Sequence, residues 1–249
     1  MSMPRKIRCT VESITDHGGR VYTVDLAPAN PVPSFRPGQF LHLTVDDYDP
    51  SGFWPESRVF SIASSPRDRM RLRICYSVKA RYTTRMEQTL RVGGEVWIKM
   101  PYGDFVIDET NDAVLVAGGT GISAFTAFIQ ALKPNHPRMV TLIYGVRNPS
   151  LLLFQDMLLA QAERVPQFRV IYFAEELREP INGGTWHAGR ISLGAVFRAV
   201  TSETHSPVAR FPTSAAFYLS GPPVMLTALG TDLRARGVAP EDIRTDAWE

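Results

Sequence analysis

Val114-Leu115-Val116-Ala117-Gly118-Gly119-Thr120-Gly121-Ile122-Ser123-Ala124 is an apolar run that breaks into a glycine turn and resumes as a helix-compatible segment. Four apolar residues in a row read as a buried strand, and Gly119 to Ala124 fits the pattern G-x-G-x-x-G/A in the required context, after a strand and into a helix. Missing side chains at Gly119 and Gly121, with Thr120 between them, let the backbone approach a pyrophosphate. The helix start adds N–H groups and the positive end of a dipole. The competing reading is a tight strand-to-helix turn that binds nothing.

Outward from that turn, the rhythm after Asp108 alternates strand and helix. Strands are expected over 114–117, 140–144, 169–173 and 216–219, and helices over 122–132, 151–163 and 222–236, with 202–212 as a loop. Alternation of this kind means a parallel sheet covered on both faces. The first hundred residues differ: 21–26, 39–45 and 72–78 read as short alternating strands, Pro37-Gly38 marks a turn, and one helix over 82–90 is expected to be capped by Thr83 or Thr84. Regular strands punctuated by Pro and Gly predict a small antiparallel barrel. The boundary falls in the polar stretch 109–112, giving domains 1–109 and 110–249.

Composition narrows the function classes. The chain has 249 residues, 44% of them hydrophobic, and a formal charge of +2, too small to argue for nucleic acid. Cys9 and Cys75 are too few and too far apart for an iron–sulfur cradle or a structural zinc site, and they fit a reducing compartment. No apolar run approaches membrane-spanning length and the basic start is followed by polar residues, so a cytoplasmic protein, monomeric or weakly dimeric, is expected. The segment 67–91 is basic, with Arg67, Arg69, Arg71, Arg73, Lys79, Arg81, Arg85 and Arg91 against Asp68 and Glu87. It reads either as a solvated strand face or as a docking face for phosphates or an acidic partner.

The acidic residue that usually follows such a glycine turn by about twenty positions, to grip a ribose hydroxyl, is absent from the end of the next strand. That strand ends Tyr144-Gly145-Val146-Arg147-Asn148. Arg147 either receives a 2′-phosphate, favouring NADP, or is a loop arginine without a ligand. A second turn, Ser220-Gly221-Pro222-Pro223, follows the strand Phe217-Tyr218-Leu219 at the sheet edge where open parallel sheets bind ligands.

In the first half, Arg58-Val59-Phe60-Ser61-Ile62-Ala63-Ser64 resembles the R-x-Y/F-S-x-x-S flavin signature of the ferredoxin-NADP reductase family. The resemblance extends through Phe35-Arg36-Pro37-Gly38-Gln39-Phe40, Gly93-Gly94-Glu95, Pro101-Tyr102-Gly103-Asp104-Phe105, the 118–123 turn and the 220–225 turn, in the family's order over nearly the whole chain. It implies a two-domain fold, an antiparallel six-stranded β-barrel flavin domain followed by an α/β parallel-sheet nucleotide-binding domain. It further implies that Arg58 holds flavin phosphate, Phe60 stacks on the isoalloxazine and Ser61 hydrogen-bonds near its N5. An Arg fork suits phosphate, an aromatic face suits a flat ring, and a hydroxyl suits a nitrogen gaining charge.

The pattern is not followed everywhere. Where the family has a Gly-rich pyrophosphate loop, this chain has Lys79-Ala80-Arg81-Tyr82-Thr83-Thr84, so Thr83, Thr84 and a helix start are the phosphate candidates, and FAD is expected with FMN as the alternative. Ser220 stands where the family often has Cys beside the nicotinamide, and Asp246 and Trp248 stand where it has an acid followed by an aromatic near the flavin. The resemblance implies NADH or NADPH as donor along Gly119, Thr120, Gly121, Gly221 and Pro222. Ser61, Ser220 and Asp246 would line the reacting centre, and electrons would leave to a separate ferredoxin, flavodoxin or oxygenase component. Two other readings remain: a free-flavin or small-molecule reductase, and a noncatalytic redox-sensing subunit.

Overall fold

The computed structural model describes residues 3–177, 183–197 and 215–246. The chain divides into two compact units, Met1–Val106 with Ser123–Ala131, and Ile107–Ile122 with Leu132–Glu249.

The first unit is a six-stranded antiparallel sheet of β1 (Arg5–Asp16), β2 (Val21–Pro28), β3 (Phe40–Thr44), β4 (Arg58–Ser61), β5 (Leu72–Ser77) and β6 (Glu95–Tyr102), in the order β4-β3-β6-β1-β2-β5. Alternation decides which face turns inward: Ile7, Cys9 and Val11 of β1, Leu41 and Leu43 of β3, and Ile98 and Met100 of β6 all enter one core. A register shift between Val11 and Ser13 bends β1, and the edges nearly close where the Ala63 N–H, just past β4, donates to Arg73 O of β5 at 2.8 Å. Two distant glycine turns interlock here. Gly38 and Gly103 both have positive φ, a Cβ on Gly38 would stand 1.9 Å from the Phe105 carbonyl oxygen, and one on Gly103 would stand 2.6 Å from the Phe40 ring. The helix α1 (Arg81–Thr89) docks on the barrel through Tyr82 and Met86, one turn apart on the same face.

The second unit is a six-stranded parallel sheet of β7 (Ala113–Gly118), β8 (Val140–Val146), β9 (Phe168–Ala174), β10 (Thr185–Ala188), β11 (Ala216–Ser220) and β12 (Ile243–Asp246), in the order β10-β9-β8-β7-β11-β12. The chain builds outward from β7 to β10, then returns to place β11 on the other side of β7, so the order reverses between β7 and β11. A ligand site is expected at the carboxyl ends of strands at such a reversal. Among the described residues its helices include α3 (Gln155–Arg164) and α4 (Pro223–Ala235), and residues 193–197 are helical as well; α2 (Ser123–Ala131) follows the glycine turn in sequence but belongs to the first unit.

Three helix starts differ from the sequence expectation. α1 begins at Arg81, so neither Thr83 nor Thr84 is its N-cap. Thr83 lies inside the first turn, and its hydroxyl accepts the Lys79 and Ala80 N–H groups at 3.0 and 3.2 Å. The helix expected from 151 begins at Gln155, because Asn148 accepts the Ser150 N–H and closes a separate turn over Pro149–Leu151, and Phe154 then adopts a left-handed conformation. The helix expected from 122 is a 3₁₀ turn over Gly119–Ile122 that becomes α-helical only at Ser123. The loop expected over 202–212 lies outside the described residues.

Candidate functional site

On the barrel, Arg58 is exposed at the start of β4 with its guanidinium 4.9 Å from the centre of the Tyr82 ring, which places it beside the first turn of α1. Glu56 gathers the local cations, accepting Arg58 at 3.4 Å and Arg81 at 3.0 Å. Arg58 thus meets Tyr82 and, through Glu56, Arg81, the two residues that precede Thr83 and Thr84 in α1. The first amides of a helix have no partner within it, so the donor set is a guanidinium, helix-start N–H groups and the Thr84 hydroxyl, while the Thr83 hydroxyl donates to Ala80 O at 3.1 Å and shapes the helix start. That chemistry fits a phosphate.

Phe60 and Ser61 point to opposite sides of β4. Phe60 is 8% exposed, paired across the strands with Leu41 and edge-on to Tyr76 at 6.3 Å, so most of its ring belongs to the core. Ser61 pairs with Phe40 on the other face, and Phe40 stacks on Tyr102 at 5.7 Å. A broad aromatic surface therefore stands beside Ser61, built from residues that the motifs contain but that the sequence did not mark as ligands. His42 joins it, edge-on to Tyr102 at 5.0 Å. Burial, and then the charge of Lys99, push the His42 imidazole below its ordinary range and favour its neutral form.

The backbone after Ser61 is pinned. The Ile62 N–H donates to Gln39 O at 3.0 Å, and the buried Gln39 side chain accepts from Arg36 N–H at 2.9 Å and donates to Gly103 O at 3.1 Å. Sequence reasoning quoted Gln39 only as part of a motif. A glutamine between two glycine turns, in a stretch about to become a buried strand, was the available signal.

In the second unit, the two turns at the strand-order reversal lock together. A Cβ on Gly121 would stand 2.4 Å from Ser220 O, and one on Gly118 would stand 2.8 Å from Pro222 and 2.9 Å from Met225. The space Gly121 leaves is therefore taken by the backbone of the second turn. Gly119, with φ of 56° and nothing within 4 Å of a Cβ, needs glycine for conformation alone. Thr120 is half-buried between them. Ser220 and Asp246, 3% and 4% exposed, end the neighbouring strands β11 and β12, and Ser220 Oγ donates to Asp246 Oδ2 at 3.0 Å. Gly221 lies against Gly118, and Pro222 opens α4.

Arg147 is exposed just past β8, whose Gly145 pairs with Gly118, so it stands on the same carboxyl edge as the glycine turn. The acidic groups missing from β8 come from the end of β9 instead. The Glu176 N–H donates to Arg147 O at 2.9 Å, and Asn148 Nδ2 donates to the Glu176 carboxylate at 3.2 Å. Trp248 lies outside the described residues.

Half of the eight cations of the basic segment are paired within the chain: Arg71 with Glu12 at 3.0 Å, Arg73 with Asp25 at 2.6 Å, Arg81 with Glu56, and Arg85 with Asp46. Burial pushes the thiols of Cys9 and Cys75 up to about 12, so both stay protonated and structural. Among the described residues no cluster of His, Cys, Asp or Glu is suited to a metal ion, and no helix is long and apolar enough to cross a membrane.

Residues 115–230 match the family model described as an oxidoreductase NAD-binding domain. The chain is 32% identical to reductase component 1 of terephthalate 1,2-dioxygenase from Comamonas sp over 63% of its own length and 45% of that protein. It is 27% identical to the NAD(P)H-flavin reductase of Vibrio harveyi over 80% of its length and 82% of that protein. The chain spans about half the length of several of the curated relatives it matches. Its fold is that of the FAD/NAD-binding domain of nitric oxide dioxygenase from Vibrio cholerae, with a TM-score of 0.75 at 19% identity, covering 97% of this chain and 98% of that one.

Proposed function

We propose that this chain, a member of the ferredoxin-NADP(H) reductase family of flavin- and nicotinamide-binding oxidoreductases, takes electrons from NADH or NADPH onto bound FAD and passes them to a separate one-electron acceptor in the cytoplasm. The acceptor class is a ferredoxin, a flavodoxin or an oxygenase component, and the division of labour follows residues 1–109 and 110–249. The observation that carries the reading is Arg58 beside the start of α1 on a six-stranded barrel. That phosphate-suited corner occurs in the same chain as a glycine turn at a strand-order reversal.

FAD, when bound, supplies the ability to accept two electrons together and release them singly, which side chains lack. The rest falls to this chain's residues. Arg58, Thr84 and the α1 start hold phosphate, with Thr83 shaping that start. Ser61 presents its hydroxyl beside the Phe40–Tyr102 surface, Phe60, expected to stack on the isoalloxazine, has most of its ring in the core and supports the strand from behind, and Trp248 is proposed to cover the ring. Gly119, Thr120 and Gly121 offer backbone N–H groups to a dinucleotide phosphate, and Gly221 and Pro222 shape the second wall. Ser220 commits its proton to Asp246, which leaves its oxygen as an acceptor for an amide N–H of the incoming nicotinamide. Alignment of bound groups then supplies most of the rate.

The test is anaerobic stopped-flow mixing of the purified protein, loaded with FAD, with NADH and with NADPH, followed at the flavin absorbance. Rapid bleaching by either donor is the expected result, and bound flavin that neither donor bleaches refutes catalysis and favours a redox-sensing subunit. A second reading, a reductase of free flavin, is favoured by the likeness to the Vibrio harveyi protein over most of its length. It predicts that the yellow colour is lost on dialysis, whereas a resident cofactor stays.

A further inference from the structure

We propose that Thr126 is a positioning residue that couples the nucleotide turn to the flavin-motif strand, so that each ligand tightens the other. The inference rests on the reading of the chain as a flavin- and nicotinamide-binding protein. Thr126 is fully buried in α2 and is the only polar side chain among residues 124–129 of that helix. A buried hydroxyl must find a partner, and this one is within reach of two acceptors: Ala63 O at 2.8 Å and, one turn back, Ser123 O at 3.0 Å. It has one proton, and the shorter contact is the one that leaves its own helix.

Ala63 is the second residue after Ser61, and both of its backbone groups are bonded, its N–H to Arg73 O and its carbonyl to Thr126. With Ile62 N–H held by Gln39 O, the stretch that carries Ser61 is fixed from the residue before β3, from β5 and from α2. The link to the nucleotide is covalent. Gly119–Ile122 belongs to the second unit, Ser123–Ala131 to the first, and the chain passes from one to the other at the Ile122–Ser123 bond, one helical turn before Thr126. A ligand that orders the glycine turn restrains the start of α2, and a restrained α2 holds the Thr126 hydroxyl on Ala63. The cost of ordering the 61–64 stretch around flavin is then partly met in advance, and by reciprocity flavin favours the nucleotide equally. A threonine serving only its own helix, bonded back to Ser123, would give no such coupling.

The experiment measures FAD dissociation constants by flavin fluorescence on the purified full chain, with and without saturating NAD⁺ or NADP⁺, neither of which can reduce the flavin. Wild type is expected to bind FAD at least about 5-fold more tightly with nucleotide present, and to bind the nucleotide more tightly by the same factor with FAD present. Thr126→Ser keeps the donor and retains the ratio, while Thr126→Val removes it and brings the ratio to about one. Thr126→Ala, measured in parallel, is expected to behave like Thr126→Val and keeps the ratio readable if the valine variant misfolds. A wild-type ratio of one, or an undiminished ratio in the folded variants lacking the hydroxyl, overturns the coupling. A wild-type chain that takes up no FAD refutes the flavoprotein reading itself, a separate outcome.

Discussion

Arg58 is exposed, yet its position over the Tyr82 ring restrains a side chain that would otherwise sample many rotamers, and this makes its substitution informative. A charge-assisted hydrogen bond contributes about 1.5–3 kcal/mol, so Arg58→Ala is expected to weaken FAD binding by about 10- to 100-fold, read by fluorescence titration. Arg58→Lys keeps the charge without the fork and should fall between the two. Arg147 is tested by contrast between donors: if it meets a 2′-phosphate, Arg147→Ala raises KM for NADPH by about 10-fold or more and leaves NADH unchanged. An equal effect on both donors retires that role. Most of these residues were legible because motif and chemistry coincide at one position. Thr126 and the Gly121–Ser220 approach were not, because their reason lies in a partner far away along the chain, and a hydroxyl in an apolar helix or a glycine in a turn looks the same locally whatever it faces.

The elements obey the same division between local and distant causes. The alternation in β2 and β5 and the apolar run of β7 announced those strands, whereas β10 and β12, four residues each, are too short for a pattern to stand out and exist because a neighbour offers an edge. The start of α3 lies at Gln155 and not at 151 for a capping reason, since a 3₁₀ turn closed by Asn148 uses residues that periodicity assigns to α3. One cross-strand pair gives a pH test at this scale. Burial alone raises the Asp25 carboxyl of β2, but hydrogen bonds from Arg73 of β5 and from Ser13, with the nearby arginine charge, outweigh it and hold the group below its ordinary range. A depressed folded pKa contributes stability above the unfolded value, and that contribution is lost as pH falls through the folded one. In urea unfolding, Asp25→Asn is therefore expected to be less stable than wild type near pH 7, with the gap narrowing below about pH 4. A gap independent of pH would mean that the pair acts through shape alone.

Across the whole molecule, charge decides how the proposed acceptor would be met. The count of arginines in 67–91 suggests a cationic docking face, but the fold places Glu12, Asp25, Asp46 and Glu56 opposite Arg71, Arg73, Arg85 and Arg81, so the local excess is far smaller than the sequence implies. The formal charge of the full chain is only +2. Long-range steering depends on net field, is screened beyond a Debye length, and falls steeply with ionic strength where it operates. Electron delivery from the reduced protein to an acidic carrier such as a ferredoxin should therefore change by less than about 3-fold when NaCl is raised from about 50 to 200 mM, measured as the second-order rate in stopped flow. A fall of an order of magnitude would mean that the remaining cations, Arg67 and Lys79 among them, gather into a docking surface that pairwise neutralisation does not cancel. In that event Arg67→Glu should slow the carrier while leaving flavin bleaching by the nicotinamide donor unchanged, which separates docking from hydride delivery.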